Sequence, residues 1–278
     1  MRQIQPLQPT LESCANDDVK APLPTPSHPL LDRLWEGYVA DVPDARTFCD
    51  LHAKRDTRPF ENDHIALRTV ANNGEGSGIA GFAGVFERLG WDTREHYVFP
   101  DIHLRAIYMG KRGLPRVFIS ELDPSAMPVD TRAALARLTT LTPPDDVEGL
   151  AAWFCAPAPP QRVDVDSVAR ASQYAAWLLC FDRRVNHFTA AVDDVAAWQA
   201  RLIAAGVRMK DEIEGAVLGE RAVGLRQTAT AAAKVPVTFA DGSVGEQPYA
   251  YFEIAERRGG FDGFLAQQAR QLFEQTRG

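Results

Sequence analysis

The chain has 278 residues, 45% of them hydrophobic and 24% charged, with 20 glycines and 19 prolines. This composition excludes collagen, coiled coil and a wholly disordered chain, and the length permits one large domain, or two ordinary ones, with a sizeable core. Thirty basic against 37 acidic side chains leave a net charge of -7, the opposite of the basic excess expected of a phosphate binder, so no nucleic-acid partner is expected.

Residues 1–28 carry five prolines and several short polar side chains, which predicts a flexible lead-in. Glu12, Asp17 and Asp18, together with the lack of a continuous apolar run, argue against a signal peptide. Residues 29–278 are expected to form a single catalytic domain. Leu31, Leu34, Trp35, Tyr38 and Val39 share one face of a predicted helix over 30–54. A strand follows at Asn62–Thr69, then a helix over 78–89 and strands over 95–99, 103–109 and 116–122. A helical insert occupies 128–182, with helices over 131–141 (Asp130 placed as N-cap), 145–155 and 164–180, broken at Pro143–Pro144 and at Pro157, Pro159 and Pro160. The pattern then resumes with a strand at Val185–Val192, a helix over 195–205 and strands over 212–218, 226–238 and 249–255. A final helix is predicted over 261–276. No apolar stretch approaches the ~20 residues that cross a bilayer, so no membrane partner is expected. The cysteines at 14, 49, 155 and 180 form no CxxC pair and read as reduced thiols of a cytoplasmic protein.

The segments at about 60–123 and 184–257 resemble each other. Each runs strand, helix, three strands, and each opens with a histidine early in its first strand. The two histidines, His64 and His187, are 123 residues apart. The fold class that follows is α+β, two βαβββ modules building a cupped mixed sheet with additional packing helices.

A strand alternates faces, so His64, Ala66 and Arg68 point one way and Ile65, Leu67 and Thr69 the other. The same alternation places His187 with Thr189, and puts Tyr249, Tyr251 and Glu253 on one face of the last strand. Two imidazoles and a carboxylate on the inside of one sheet suit a divalent metal; they leave three open facial positions, the pattern of non-haem iron oxygenases. Hydrogen-bonded core histidines, and an arginine partner for Glu253, are the alternatives. His52, His96 and His103 lack a counterpart in the repeat and read as structural. Glu121 is read as the counterpart of Glu253, a possible fourth ligand or a partner of one. Arg68 is a candidate clamp for a substrate carboxylate, and Gln227 and Thr228, with Arg226 and Thr230, are candidates to line the same cavity. The glycines at 74, 76, 78, 81 and 84 lack the GxGxxG order of a phosphate loop.

The strings Asn62-Asp63-His64-Ile65-Ala66-Leu67-Arg68-Thr69, Val185-Asn186-His187-Phe188-Thr189 and Tyr249-Ala250-Tyr251-Phe252-Glu253-Ile254-Ala255-Glu256-Arg257 resemble the 2-oxoadipate dioxygenase/decarboxylase family, the hydroxyglutarate synthases. That family is similar in turn to the vicinal oxygen chelate superfamily of paired βαβββ units. The resemblance implies an Fe²⁺ cofactor on His64, His187 and Glu253, and a small-molecule 2-oxo acid and dioxygen as the molecules bound. It implies Arg68 as the substrate-carboxylate ligand. Glu253 is preferred to Glu256 because Glu-Ile-x-x-Arg is similar to the metal strand of related dioxygenases. Two other readings stand beside it. One is a glyoxalase-type Zn²⁺ or Ni²⁺ lyase or isomerase with Glu121 as fourth ligand; the other is a metal-free small-molecule-binding module.

Overall fold

The computed structural model describes residues 22–71, 78–138, 142–155, 157–218 and 223–264. Two helices lead, α1 (Pro29–Asp41) and α2 (Pro43–Ala53). The single helix expected over 30–54 is broken because Pro43 opens a new one: its ring fixes φ and lacks the N–H that would continue α1. Ahead of them, Thr25 is tied to the sheet, donating from its N to Phe60 O at 2.8 Å and accepting from Asn62 N at 2.7 Å.

The first module is β1 (Asn62–Val70), α3 (Gly78–Arg88), β2 (Asp92–Phe99), β3 (Leu104–Gly110) and β4 (Arg116–Leu122). Four helices follow: α4 (Val129–Leu135), α5 (Val147–Cys155), α6 (Arg162–Ala171) and α7 (Gln173–Phe181). The helix expected over 164–180 is two helices, because Ser172 leaves helical φ/ψ and accepts from Ala175 N as the N-cap of α7. Asp130 is no N-cap: α4 already begins at Val129.

The second module is β5 (Val185–Ala191), α8 (Val195–Ala204), β6 (Glu214–Leu218), β7 (Val223–Ala229), β8 (Lys234–Thr238), β9 (Val244–Pro248) and β10 (Glu253–Arg258). The strand expected over 226–238 is really β7 plus β8, and β8 pairs with β9 in a separate two-stranded hairpin inserted before β10. Tyr249 and Tyr251 therefore precede the last strand instead of lying in it. Phe261–Phe264 are non-helical, and the rest of the helix expected over 261–276 lies outside the described residues.

One eight-stranded sheet runs in the order β2-β3-β4-β1-β5-β10-β7-β6. Read outward from the centre, each half repeats the other. β1 lies parallel to β4 and β5 parallel to β10, while β1 and β5 meet antiparallel at the seam. All nine residues of β1 are buried, so both of its faces are covered.

Alternation sorts the side chains of the sheet. Phe188 points to the helix-covered outer face, where Trp35 meets it edge-on at 5.1 Å and Phe48, Phe252 and Trp198 pack close by. Its neighbours His187 and Thr189 point to the inner face. The register His64↔Thr189, Ala66↔His187, Thr189↔Glu253, Ala255↔Gln227 and Gln227↔Glu214 carries that inner face across four further strands. Thr228 pairs with Ile254 on the outer face and donates to Glu212 O at 3.0 Å. Period-two alternation thus removes Thr228 from the cavity and keeps Gln227 in it.

The repeat also fixes the place of Glu121. Thr189 stands 123 residues after Ala66, and Ala66 pairs with Phe118 whereas Thr189 pairs with Glu253. The counterpart of Glu253 is therefore Phe118, and the counterpart of Glu121 is Glu256. Glu121 accepts from Ile79 N at the start of α3 at 2.7 Å, and Glu256 accepts from Val195 N at the start of α8 at 3.0 Å. Cross-strand Arg105 and Arg226 sit at matching positions beside them. Each carboxylate meets the positive end of its own module's helix.

Candidate metal centre and substrate chamber

His64, His187 and Glu253 converge, each offering one ligand atom, and these atoms all lie within 4.8 Å of one another. His64 Nε2 is 3.3 Å from His187 Nε2 and 3.2 Å from Glu253 Oε1. With metal–ligand bonds of about 2.1 Å, neighbouring ligands would lie about 3.0 Å apart in an octahedron and about 3.4 Å in a tetrahedron, so both edges fit one ion. All three residues are buried to 2% exposure or less. Glu253 Oε2 has no hydrogen-bond partner among the described residues, an expensive state for a buried carboxylate unless a cation meets it.

Both imidazoles are oriented by the residue before them in the chain. His64 Nδ1 donates to Asp63 Oδ1 at 2.7 Å and His187 Nδ1 to Asn186 Oδ1 at 3.2 Å, which turns both Nε2 atoms toward Glu253. Asp63 is itself gripped by Arg257, through contacts of 2.6 and 2.9 Å. Burial pushes the Asp63 carboxyl up, but hydrogen bonds from His64 and Arg257 outweigh it and hold the group well below the usual range. In the metal-free protein, burial lowers His64, yet its bonds to Asp63 and Glu253 prevail and raise it above 6.5. Burial lowers His187 well below its ordinary value, reinforced by the nearby positive charge of His64 and Arg68. Thr189 Oγ1 donates to Glu253 Oε1 at 3.1 Å, and Phe264 closes edge-on over His64 at 4.8 Å.

Arg68 occupies the same inner face two residues beyond Ala66. It is 3% exposed and its Nη1 has no partner among the described residues. Its guanidinium lies 5.0 Å over the Tyr174 ring and 5.2 Å over the Trp177 ring of α7. Tyr174 is anchored to Ser120 O at 2.9 Å and Trp177 to Tyr249 O, so both rings beneath the cation are held by hydrogen bonds. Gln227 is 1% exposed and neither of its amide atoms is bonded among the described residues. Beside it Glu214 pairs with Lys210 at 2.7 Å.

Among the candidates drawn from the sequence, His64, His187, Glu253, Arg68 and Gln227 share this chamber. Glu121 and Thr228 do not, because both side chains serve the opposite face. The four-ligand arrangement thus loses its fourth ligand. Asp63, Thr189 and Phe264 carry no site role in the sequence reading; Asp63 could have been found as an acid directly before a candidate ligand. Among the described residues, no helix is long and apolar enough to cross a membrane.

The fold is shared with proteins of known structure. A glyoxalase superfamily protein from Ralstonia eutropha JMP134 superimposes with a TM-score of 0.71 at 24% identity, covering 85% of each chain. Further relations lie within the family named above. Residues 145–277 match the family model described as 2-oxoadipate dioxygenase/decarboxylase. The chain is 28% identical to the chloroplastic 2-oxoadipate dioxygenase/decarboxylase of Arabidopsis thaliana, over 82% of this chain and 67% of that one. The hydroxyglutarate synthase of Oryza sativa, crystallised with 2-oxoadipate, has the same fold, with a TM-score of 0.74 at 23% identity over 94% of this chain and 97% of the other. These similarities bear out the family resemblance, and the His187 and Glu253 strings fall within the residues that the family model matches.

Proposed function

We propose that this protein is an Fe²⁺-dependent dioxygenase that decarboxylates a 2-oxo acid, with 2-oxoadipate as first candidate and 2-hydroxyglutarate and carbon dioxide as products. The observation that carries the reading is the convergence of His64, His187 and Glu253, with one ligand atom of each within 4.8 Å of the others, on a buried face that also holds Arg68, whose Nη1 has no partner among the described residues. The names of the similar proteins support the substrate and reaction class. The overall change balances without a further co-substrate: one 2-oxoadipate and one dioxygen contain the atoms of one 2-hydroxyglutarate and one carbon dioxide.

His64, His187 and Glu253 would hold the ion, whose chemistry, when bound, is to draw the 2-oxo acid and dioxygen together and activate both. Two neutral imidazoles and one carboxylate leave it a net charge of +1, which suits an anionic substrate. Arg68 binds the distal carboxylate through its guanidinium and so fixes the end of the chain remote from the reacting carbons. Asp63 keeps the proton of His64 on Nδ1, so that Nε2 stays available. Phe264 and the aromatic residues of α7 exclude water, which strengthens every charge interaction inside.

The test is an oxygen-electrode assay of protein loaded with Fe²⁺ under anaerobic conditions and then offered a panel of 2-oxo acids. Oxygen uptake matched by carbon dioxide release is expected, strongest with 2-oxoadipate. Turnover that continues without oxygen would overturn the reading in favour of a lyase or isomerase.

A further inference from the structure

Arg68 is not the one donor in the chamber without an acceptor. Tyr251 is 1% exposed, and its Oη, buried like Arg68 Nη1, has no hydrogen-bond partner among the described residues. Buried hydroxyls are seldom left so, because the missing bond costs about 1–3 kcal/mol. The Tyr251 ring lies against the His187 imidazole, centroids 4.7 Å apart and planes at 30°. His187 pairs across the seam with Ala66, two residues from Arg68 on the same face. The tyrosine and the arginine therefore flank one ligand histidine.

The backbone explains why Tyr251 stands there. Its carbonyl accepts from Tyr38 Oη of α1, and the N of the next residue, Phe252, donates to Thr230 Oγ1 at 3.0 Å. The peptide that follows Tyr251 is held through both of its polar atoms just ahead of β10, and the ring is buried. Two carboxylates act on Tyr251, Glu253 and Glu214; Glu253 is engaged through Oε1 by His64 and Thr189, and Glu214 by Lys210, and neither is hydrogen-bonded to the Tyr251 hydroxyl among the described residues. Arg68 Nη1 and Tyr251 Oη are thus two buried donors without acceptors among the described residues, either side of one ligand histidine, and together they complement the two oxygens of a carboxylate.

We propose that Tyr251 is the second half of the distal-carboxylate receptor, donating from Oη to one carboxylate oxygen while Arg68 donates from Nη1, and that it makes the enzyme selective for dicarboxylic 2-oxo acids. The inference rests on the 2-oxo acid reading above and adds a specificity residue to it.

The experiment compares 2-oxoadipate with 2-oxohexanoate, the same chain without its distal carboxylate, in wild-type protein, Tyr251→Phe, Arg68→Met and the double variant. Two readouts are taken on Fe²⁺-loaded protein: calorimetric binding under anaerobic conditions, and kcat/KM from oxygen uptake. The preference for 2-oxoadipate should fall about tenfold or more in Tyr251→Phe, the size of a hydrogen bond to a charged acceptor. On the Arg68→Met background the same change should alter it by less than about threefold, since two donors to one group are not additive. A preference in Tyr251→Phe within about twofold of wild type would overturn the proposal, as would a full-sized further loss in the double variant. If wild-type protein consumes oxygen but binds the two acids equally, the receptor is refuted and the reaction class stands. If it binds 2-oxoadipate selectively without consuming oxygen, the receptor stands and the reaction class falls.

Discussion

Asp63 and His64, adjacent in β1, are bonded to each other through Oδ1 and Nδ1 at 2.7 Å, and that contact decides which imidazole nitrogen faces Glu253. Removing the negative charge should weaken metal binding more than it disturbs the fold. Asp63→Asn is expected to lower metal affinity about 10- to 100-fold, the usual effect of losing a partner behind a ligand. Metal titration followed by absorbance or calorimetry checks this, with circular dichroism to establish that the sheet is intact.

Among the described residues Arg68 is a buried cation with no ion-pair partner, so in the free protein it should stabilise little. Arg68→Met, which preserves the stacking volume against Tyr174 and Trp177, should leave Tm unchanged or raise it. The same variant should retain its metal and raise KM for 2-oxoadipate by about 100-fold, the scale of losing a charge-assisted pair of bonds. Thermal scans, metal analysis and steady-state kinetics on one preparation test the three statements together.

The two ligand histidines give the metal-free protein opposing pH responses. His64 is raised above 6.5, so its contribution to stability is complete below 6.5 and is lost as pH rises through its folded value. His187 is lowered well below 6.5, so its contribution is present above 6.5 and is lost as pH falls. The part of the Tm–pH profile that vanishes in a His64→Ala/His187→Ala double variant should therefore peak near 6.5. Metal must displace the proton from His64, so affinity should climb with pH above 6.5 and level off beyond the His64 value. Calorimetry in two buffers of different ionisation enthalpy should show about one proton released per ion at the lower end of that window.

Two glycines of α3 should respond in opposite directions. Gly78 has φ +63°, and a Cβ there would lie 2.1 Å from Glu121 Oε2, displacing the carboxylate that meets Ile79 N. A Cβ at Gly84 would meet nothing within 4 Å. Gly84→Ala should gain about 0.5–1 kcal/mol, and Gly78→Ala should lose about 2 kcal/mol or more. Urea unfolding of each variant measures both signs.

The inner-face ligands are readable from sequence because two simple rules coincide at them: strand alternation, and duplication with a constant offset between His64 and His187. Sequence reasoning fails where those rules need register. Order along the repeat matches Glu121 to Glu253, whereas the parallel pairing of β4 with β1 places it three positions off, at Glu256. Thr228 follows Gln227 in a polar run, yet adjacent strand residues face opposite ways. Breaks such as Ser172 in the long helix, and the β8–β9 hairpin, come from a capping bond and a non-local pairing. Neither leaves a mark in hydrophobic period.

The seam between β1 and β5 has an evolutionary consequence. A half-length ancestor with one such unit would have owned a single imidazole, and could have gained a second only from another copy docked along that edge. Two identical copies would be bound to place the same side chain at the positions now held by Phe118 and Glu253. A single polypeptide is free of that symmetry, so that one half can hold a ring at Phe118 where the other holds a carboxylate at Glu253.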